Sequence, residues 1–89
     1  MKYVKEDMID RVGDWYLYDD GDVTWLPLEG KWKNRDYWID AARLTNSSWK
    51  DYWIKHLRSK LWWDGMVEDD FEEIFTRSIR HRTNLLLNK

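Results

Sequence analysis

Tryptophan is the residue that most constrains how this chain can fold, because eight of its 89 residues are tryptophan. A buried indole removes on the order of 150 to 250 Å² from water, so a few rings can replace many aliphatic side chains in a small core. Apolar residues make up 43% of the chain and aromatic residues 17%, which is unlike the composition of disordered segments. The sequence therefore predicts one folded domain over residues 1–89 with an aromatic core.

The composition also argues against several classes of protein. The chain has no cysteine, so it offers no disulfide framework, thiol nucleophile or thiolate metal site, and we expect a reducing, cytoplasmic location. No apolar run approaches the roughly 20 residues of a membrane span. Residues 1–10 alternate charged and apolar side chains where a signal peptide would carry a hydrophobic block, so we expect neither secretion nor a membrane partner.

Charge is unevenly distributed along the chain. Residues 1–30 carry three basic and eight acidic side chains (−5), residues 31–60 carry eight and three (+5), and residues 61–89 carry four and six (−2). The basic middle third also contains four of the tryptophans. This segregation is the one compositional feature that indicates an anionic partner.

The first predicted elements are a short helix and a β-hairpin. Val4, Met8, Ile9 and Val12 recur at helical spacing, and Gly13 would end that helix. Two runs rich in aromatic and β-branched residues, 14–18 and 22–28, then flank Asp20-Gly21, which predicts a hairpin with a two-residue loop. In that register the cross-strand pairs would be Tyr18 with Val23, Leu17 with Thr24, Tyr16 with Trp25, and Trp15 with Leu26. Lys31–Lys33 is a candidate third strand after Gly30.

The rest of the chain predicts about three helices. The first would begin at Asn34 or Asp36 and end near Thr45-Asn46. Its inward residues would be Trp38, Ala41, Ala42 and Leu44. The second would be capped by Ser48 and Asp51, with its buried positions at Trp49, Tyr52, Trp53, His56, Leu57 and Leu61. The third, after Asp64-Gly65, would bury Val67, Phe71, Ile74, Phe75, Ser78 and Ile79. The predicted fold class is α+β, with an N-terminal helix and hairpin packed against these C-terminal helices.

Sequence patterns give little support for catalysis, a metal or a cofactor. The two histidines, His56 and His81, lie on different predicted helices, and His56 falls on an apolar stripe. Asp19 to Asp22 is interpreted as a hairpin turn, because it lacks the glutamate and spacing of a calcium loop. Glu29-Gly30-Lys31 resembles the E-x-K of restriction-type nucleases, but so short a pattern is expected by chance in a chain this charged. We therefore expect no enzyme.

A protein partner is the first functional prediction. Large aromatic rings are enriched in protein interfaces, and adjacent rings at a helix end are hard to bury together. The candidate contact residues are Trp32, Tyr37, Trp62 and Trp63, together with Leu85, Leu86 and Leu87 near the end of the chain. The expected role is that of an inhibitor, adaptor or accessory protein. Short chains of this size are common among the accessory proteins of viruses and mobile elements. A homo-oligomer is a further expected form.

Nucleic-acid binding is the alternative, since binders of this class combine cations for phosphates with rings that stack on bases. The candidate cations are Lys31, Lys33, Arg35, Lys50, Lys55 and Arg58. Acidic residues interrupt this segment and the whole chain has a net charge of −2, so protein binding is preferred.

Overall fold

The computed structural model describes residues 7–33 and 35–87 and has an α+β fold with a four-stranded antiparallel meander. The strands are β1 (Met8–Val12), β2 (Trp15–Tyr18), β3 (Val23–Trp25) and β4 (Tyr37–Ile39). A 3₁₀ turn (Ala41–Arg43) follows, and then helices α1 (Ser47–Leu57) and α2 (Gly65–Leu87). Helix α2 contacts β1, β2 and β3, and α1 packs beside α2.

Alternation along the strands decides which side chains enter the core. Trp15 is opposite Trp25, and Leu17 is opposite Val23, so these four side chains share the face that the helices cover. The helices contribute the other half of the core. Its members from the helices and the preceding loop are Leu44, Trp53, Leu57, Phe71, Ile74 and Phe75. The aromatic core expected from the composition is therefore present between sheet and helices.

The predicted N-terminal helix is wrong, because Met8–Val12 is strand β1. Val4 lies outside the described residues. A bulge between Met8 and Asp10 interrupts the strand alternation, and Asp10 occupies a position on the helix-covered side. Its carboxylate accepts two hydrogen bonds of 3.0 Å from Arg77 on α2. Gly13 does end the element, but as part of a two-residue turn with φ of +59°.

The hairpin at Asp20-Gly21 is present with a register one residue away from the prediction. Tyr16 pairs with Thr24 and Leu17 with Val23, whereas a two-residue loop would pair Tyr16 with Trp25. Gly21 has a φ of +94°, and the amide of Tyr18 donates to the carbonyl of Asp22. The loop therefore contains one extra residue, as in three-residue hairpins that place glycine at a left-handed position.

The segment predicted as the first C-terminal helix is a strand followed by a single 3₁₀ turn. Tyr37–Ile39 pairs with Val23–Trp25 as β4, and Trp38 donates its indole N–H to Asp22 on the sheet face away from the helices. The Asp40 carboxylate caps the 3₁₀ turn through the amide of Ala42. Ala42 itself is exposed. Lys31–Lys33 forms a turn, so the predicted third strand is also wrong.

Helix α1 begins two residues earlier than predicted and also ends earlier. Its cap is Asn46, whose side chain accepts from the amides of Ser48 and Trp49, instead of the predicted Ser48 and Asp51 box. Trp53 and Leu57 are buried as expected. Three other predicted core positions are wrong: Tyr52, His56 and Leu61 are exposed, and Leu61 lies beyond the last residue of the helix.

Helix α2 confirms the sequence prediction most closely. Phe71, Ile74, Phe75 and Ser78 are buried along one stripe, and Val67 and Ile79 pack against it. The Asp64 side chain accepts from the amide of Val67 and so caps the first turn. Further along, α2 holds the β2–β3 loop. The contacts are Ser78 Oγ to the Gly21 carbonyl at 2.6 Å and His81 Nε2 to the Asp19 carbonyl at 2.7 Å.

A candidate binding cleft

An open cavity of about 340 Å³ lies where the β1–β2 turn, the loop after β3 and the segment between α1 and α2 meet. Five of the eight tryptophans line it, and we call this cavity the tryptophan cleft. Those five residues are Trp15, Trp25, Trp32, Trp62 and Trp63. Trp15 and Trp25 belong to the buried core, whereas Trp32, Trp62 and Trp63 are half-buried, so the cavity lies at the edge of the aromatic core.

Trp62 is the ring that organises the wall of the tryptophan cleft. It stacks on Trp25 with a centroid separation of 4.0 Å and an interplanar angle of 13°. It also meets Trp15 edge-on at 6.4 Å and Tyr37 at 5.7 Å. The neighbouring Trp63 turns toward α2, where it contacts Phe71 at 5.8 Å and donates its indole N–H to Glu68. Both rings of the Trp62-Trp63 pair are half-buried.

Trp25 carries an unusual polar group into this wall. The ring is almost fully buried, and within the described part of the chain its indole N–H has no hydrogen-bond acceptor. The indoles of Trp15 and Trp53, by contrast, donate to the backbone carbonyls of Val67 and Arg43. Leaving a buried donor unpaired costs roughly 1 to 3 kcal/mol. The wall of the tryptophan cleft therefore contains a donor that the described residues leave unpaired.

Carboxylates give the tryptophan cleft its charge. Its lining includes Asp14, Glu29, Asp64 and Asp70, against one basic residue, Lys31. Asp14 has a neighbouring cation, since Arg11 lies 3.8 Å from its carboxylate, and Asp64 caps α2. The tryptophan cleft thus concentrates negative charge beside exposed aromatic surface.

Asp70 is the carboxylate of the cleft with the fewest groups nearby to neutralise its negative charge. Its side chain packs directly against Gly13, where a Cβ atom would overlap the carboxylate. Burial, followed by the negative charges of Asp69, Asp14 and Asp64, raises the pKa of Asp70 above its ordinary value. Among the described residues, no salt bridge or side-chain hydrogen bond offsets these effects at Asp70. A cation entering the tryptophan cleft would meet an unneutralised charge there.

The rim of the tryptophan cleft is apolar and faces water. Leu61 is 89% exposed and Met66 is 75% exposed, although Leu61 was predicted to be buried. Exposed apolar side chains around an aromatic cavity are typical of protein-docking surfaces. Leu61 and Met66 flank Trp62 and Trp63 in the chain, so rings and rim form one continuous surface.

The structure brings together three of the residues that the sequence singled out for protein binding. Trp32, Trp62 and Trp63 line the tryptophan cleft, and Tyr37 contacts Trp62 from outside it. Leu85, Leu86 and Leu87 are exposed on the last turn of α2, and Leu86 contributes to a different, smaller cavity with Leu44 and Ile79.

Sequence reasoning missed the acidic half of the cleft and its apolar rim. Asp64 and Asp70 lie near each other at the start of α2, but Asp14 comes from the β1–β2 turn, so the convergence of all three leaves no single local pattern. Leu61 is exposed because α1 ends at Leu57, and Met66 is exposed on the first turn of α2. The Asp64-Gly65 break indicates where α2 begins, but the sequence carries no comparable signal that α1 ends as early as Leu57.

The cations predicted for nucleic-acid binding are divided between different surroundings. Arg58 forms a bidentate pair with Glu68, at 2.8 and 3.0 Å. Lys31 and Arg35 lie over the ring of Trp32, at 5.1 and 5.7 Å from its centroid. Lys33 and Lys55 are exposed, and Lys50 is half-buried.

A second aromatic surface lies on the exposed side of α1, and we call it the α1 face. It consists of Arg43, Trp49, Tyr52 and His56. Trp49 meets Tyr52 edge-on at 5.4 Å, and Tyr52 stacks on His56 at 6.0 Å. The Arg43 guanidinium lies 5.9 Å from the ring centroid of Trp49. The rings of the α1 face are therefore arranged against each other and against their own cation.

Catalytic and metal chemistry finds little support in the geometry. Glu29, Lys31 and Asp14 do line the same cavity. However, no group of three or more metal-ligating side chains comes together within residues 7–33 and 35–87. His56 stacks on a tyrosine and His81 contacts a backbone carbonyl. The described helices also include none with the length and apolar character needed to cross a bilayer.

Comparison with known proteins adds no relative. No protein-family model, curated protein or solved structure matches this chain.

Proposed function

We propose that this chain is a non-enzymatic protein-binding module that docks its partner through the tryptophan cleft. The observation that carries the proposal is the continuity of half-buried indoles with the exposed rim of Leu61 and Met66. Residues of this kind supply most of the binding energy in protein interfaces, where aromatic anchors surrounded by apolar contacts exclude water. An adaptor, inhibitor or accessory role in the cytoplasm fits a small cysteine-free domain of this composition.

The charge at the tryptophan cleft favours a protein over a nucleic acid. Four carboxylates against one ammonium group would repel a phosphate backbone at the place where the rings are exposed. Among the six cations predicted for nucleic-acid binding, Arg58 is paired with Glu68, and Lys31 and Arg35 lie over Trp32. A polyanion would have to bind elsewhere, away from most of the exposed indole surface.

The proposal is tested by comparing two exposed leucines, one on each candidate surface. Affinity capture with the wild-type chain identifies a partner, and calorimetric titration with that purified partner measures binding. Leu61→Glu places a charge on the rim of the tryptophan cleft and should weaken binding by about tenfold or more, which corresponds to ~1.4 kcal/mol. Leu86→Glu on the last turn of α2 is the matched control and should bind as wild type.

Three outcomes would overturn the proposal. The first is a partner that binds Leu61→Glu and wild type equally. The second is concentration-dependent self-association in light scattering that Leu86→Glu abolishes, because the interface would then lie at the end of α2. The third is saturable binding of single- or double-stranded oligonucleotides that weakens steeply with salt and is lost in Lys33→Glu or Lys55→Glu.

A further inference from the structure

We infer that the tryptophan cleft accepts an arginine side chain of the partner protein. This inference rests on the proposed function and specifies the chemistry of the partner. The guanidinium group would stack on the half-buried indoles and pair with the carboxylate of Asp70. The remainder of the partner would contact the apolar rim at Leu61 and Met66.

Charge complementarity selects a cation for this cavity. The lining carboxylates outnumber the one ammonium group by three. Asp70 is half-buried and lies against the Gly13 turn. Carboxylates held together in a partly desolvated cavity repel one another, and an incoming cation relieves that repulsion. A neutral ligand would leave it unchanged.

The chain's own cations show that the tryptophan rings at this site accept positive charge. The ammonium nitrogen of Lys31 lies 5.1 Å from the ring centroid of Trp32, and the guanidinium carbon of Arg35 lies 5.7 Å from the same centroid. Both distances are within the range of cation–π attraction. Arginine is preferred to lysine as the occupant, because its planar group stacks on an indole while its N–H groups pair bidentately with a carboxylate.

The unpaired indole N–H of Trp25 is an independent indication of a ligand. It is a buried donor in the wall of the cavity, and no described residue accepts from it. The ring of Trp62 stacks on one face of Trp25, whereas the N–H lies at the edge of the ring, in its plane. A backbone carbonyl beside the inserted arginine would provide the missing acceptor once the wall of the cleft opens at the edge of the Trp25 ring.

The direct test uses three short peptides that differ in one side chain: acetyl-Gly-Arg-Gly-amide, its lysine analogue and its citrulline analogue. Citrulline keeps the planar shape but has no charge. The chain is labelled with ¹⁵N, and the indole N–H signals are followed by NMR during titration. The arginine peptide should shift the signals of Trp25, Trp32 and Trp62 saturably, while that of Trp49 on the α1 face stays in place. The citrulline peptide should not saturate.

Charge variants assign the interaction to named residues. Asp70→Asn should weaken binding of the arginine peptide by about fivefold or more, as expected for loss of a charged hydrogen-bond acceptor. Asp51→Asn, on the exposed side of α1, is the matched control and should have no effect. Lys31→Gln should strengthen binding about twofold, because it removes the cation that competes for the ring of Trp32.

Each contrary result has a defined meaning. Equal binding of the lysine and arginine peptides would overturn the choice of arginine, and equal binding of the citrulline peptide would overturn the requirement for charge. Absence of saturable shifts at the cleft indoles would overturn the whole inference. If a purified partner still loses affinity for Leu61→Glu in that case, the proposed function stands without the arginine. If it does not, both fail.

Discussion

The tryptophan cleft and the α1 face are both rich in aromatic rings, but they differ in how those rings are satisfied. On the α1 face, Arg43 lies over Trp49, and Tyr52 and His56 stack on each other. In the tryptophan cleft, Lys31 and Arg35 likewise lie over Trp32. Among the described residues, however, the carboxylate of Asp70 has no cation and the buried indole N–H of Trp25 has no acceptor. A surface that completes its own interactions has less to gain from a partner. The distribution of unmet interactions, more than the number of rings, is therefore the reason for proposing the tryptophan cleft, and not the α1 face, as the binding surface.

The largest expected effect separates core rings from surface rings on one helix. Trp53→Ala removes a buried ring that contacts Tyr37 and donates to the Arg43 carbonyl, and it should lower the free energy of unfolding by about 3 to 5 kcal/mol. Tyr52→Ala, at the next position, removes a ring that is 48% exposed and should cost less than about 1 kcal/mol. Urea denaturation measures both. Similar losses would mean that the α1 face is structural.

The next effect concerns the turn against which Asp70 packs. Gly13→Ala places a β-carbon at a residue with left-handed backbone conformation, and that carbon overlaps the Asp70 carboxylate. The variant should destabilise the fold by about 1 to 3 kcal/mol and should also weaken binding of the arginine peptide. Gly30 has a comparable φ of +83° with open space around its Cα. Gly30→Ala should therefore cost only the strain of holding an alanine in the left-handed region, about 1 to 2 kcal/mol, and less than Gly13→Ala. Identical losses of stability would show that the Asp70 contact carries no weight.

The ionised carboxylate of Asp70 should lower the stability of the fold, although it favours binding of the arginine peptide. Its folded-state pKa is raised by burial and by Asp69, Asp14 and Asp64, so the folded state disfavours the ionised form. That penalty is fully present above the folded-state pKa and disappears as the pH falls below the unfolded-state value. Asp70→Asn should thus be more stable than wild type at neutral pH, with the difference closing on acidification. Denaturant titrations at several pH values measure this difference, and a less stable variant at neutral pH would contradict it.

The same ionisation predicts how binding depends on pH. The arginine peptide should bind less tightly as acidification protonates Asp70, and this loss should begin above the pH range in which an unperturbed aspartate titrates. The other charged groups that line the tryptophan cleft, Asp14, Glu29, Asp64 and Lys31, are unchanged in Asp70→Asn. That variant should consequently show a flatter profile. An identical pH profile in the two proteins would assign the effect to the other carboxylates.

The smallest expected effect concerns Glu68 on α2, which accepts hydrogen bonds from Arg58 and Trp63. Hydrogen bonds from Arg58 and Trp63 lower the pKa of Glu68 below its ordinary value of 4.5. This stabilisation is present above the unfolded-state pKa and is lost as the pH falls through the folded-state pKa. Glu68→Gln should therefore unfold slightly more easily at neutral pH and match wild type in acid. A constant difference across pH would indicate a packing effect, and high salt should reduce the contribution of the ion pair.

How much of this molecule the sequence predicts depends on how local each interaction is. Helix α2 was predicted closely, because its buried stripe repeats every three or four residues along a single segment. Strand β1 was predicted as a helix, because the inward residue Asp10 is polar and its partner Arg77 lies 67 residues away. The predicted hairpin register differs from the observed one by one residue, because an Asp-Gly pair is typical both of a two-residue turn and of a three-residue loop with a glycine bulge. The sequence analysis named the half-buried tryptophans of the cleft as candidate contact residues. It did not identify the cleft carboxylates, because these residues come together only in the folded structure.

The parallel stack of Trp62 on Trp25, with centroids 4.0 Å apart, makes the tryptophan cleft optically distinctive. Two indoles held this close are electronically coupled, so their aromatic circular dichroism depends on how the two rings are placed. This signal requires no label. A ligand that displaces Trp62 should change the aromatic signal while the helical signal stays constant, which offers a label-free measurement of whether the cleft is occupied.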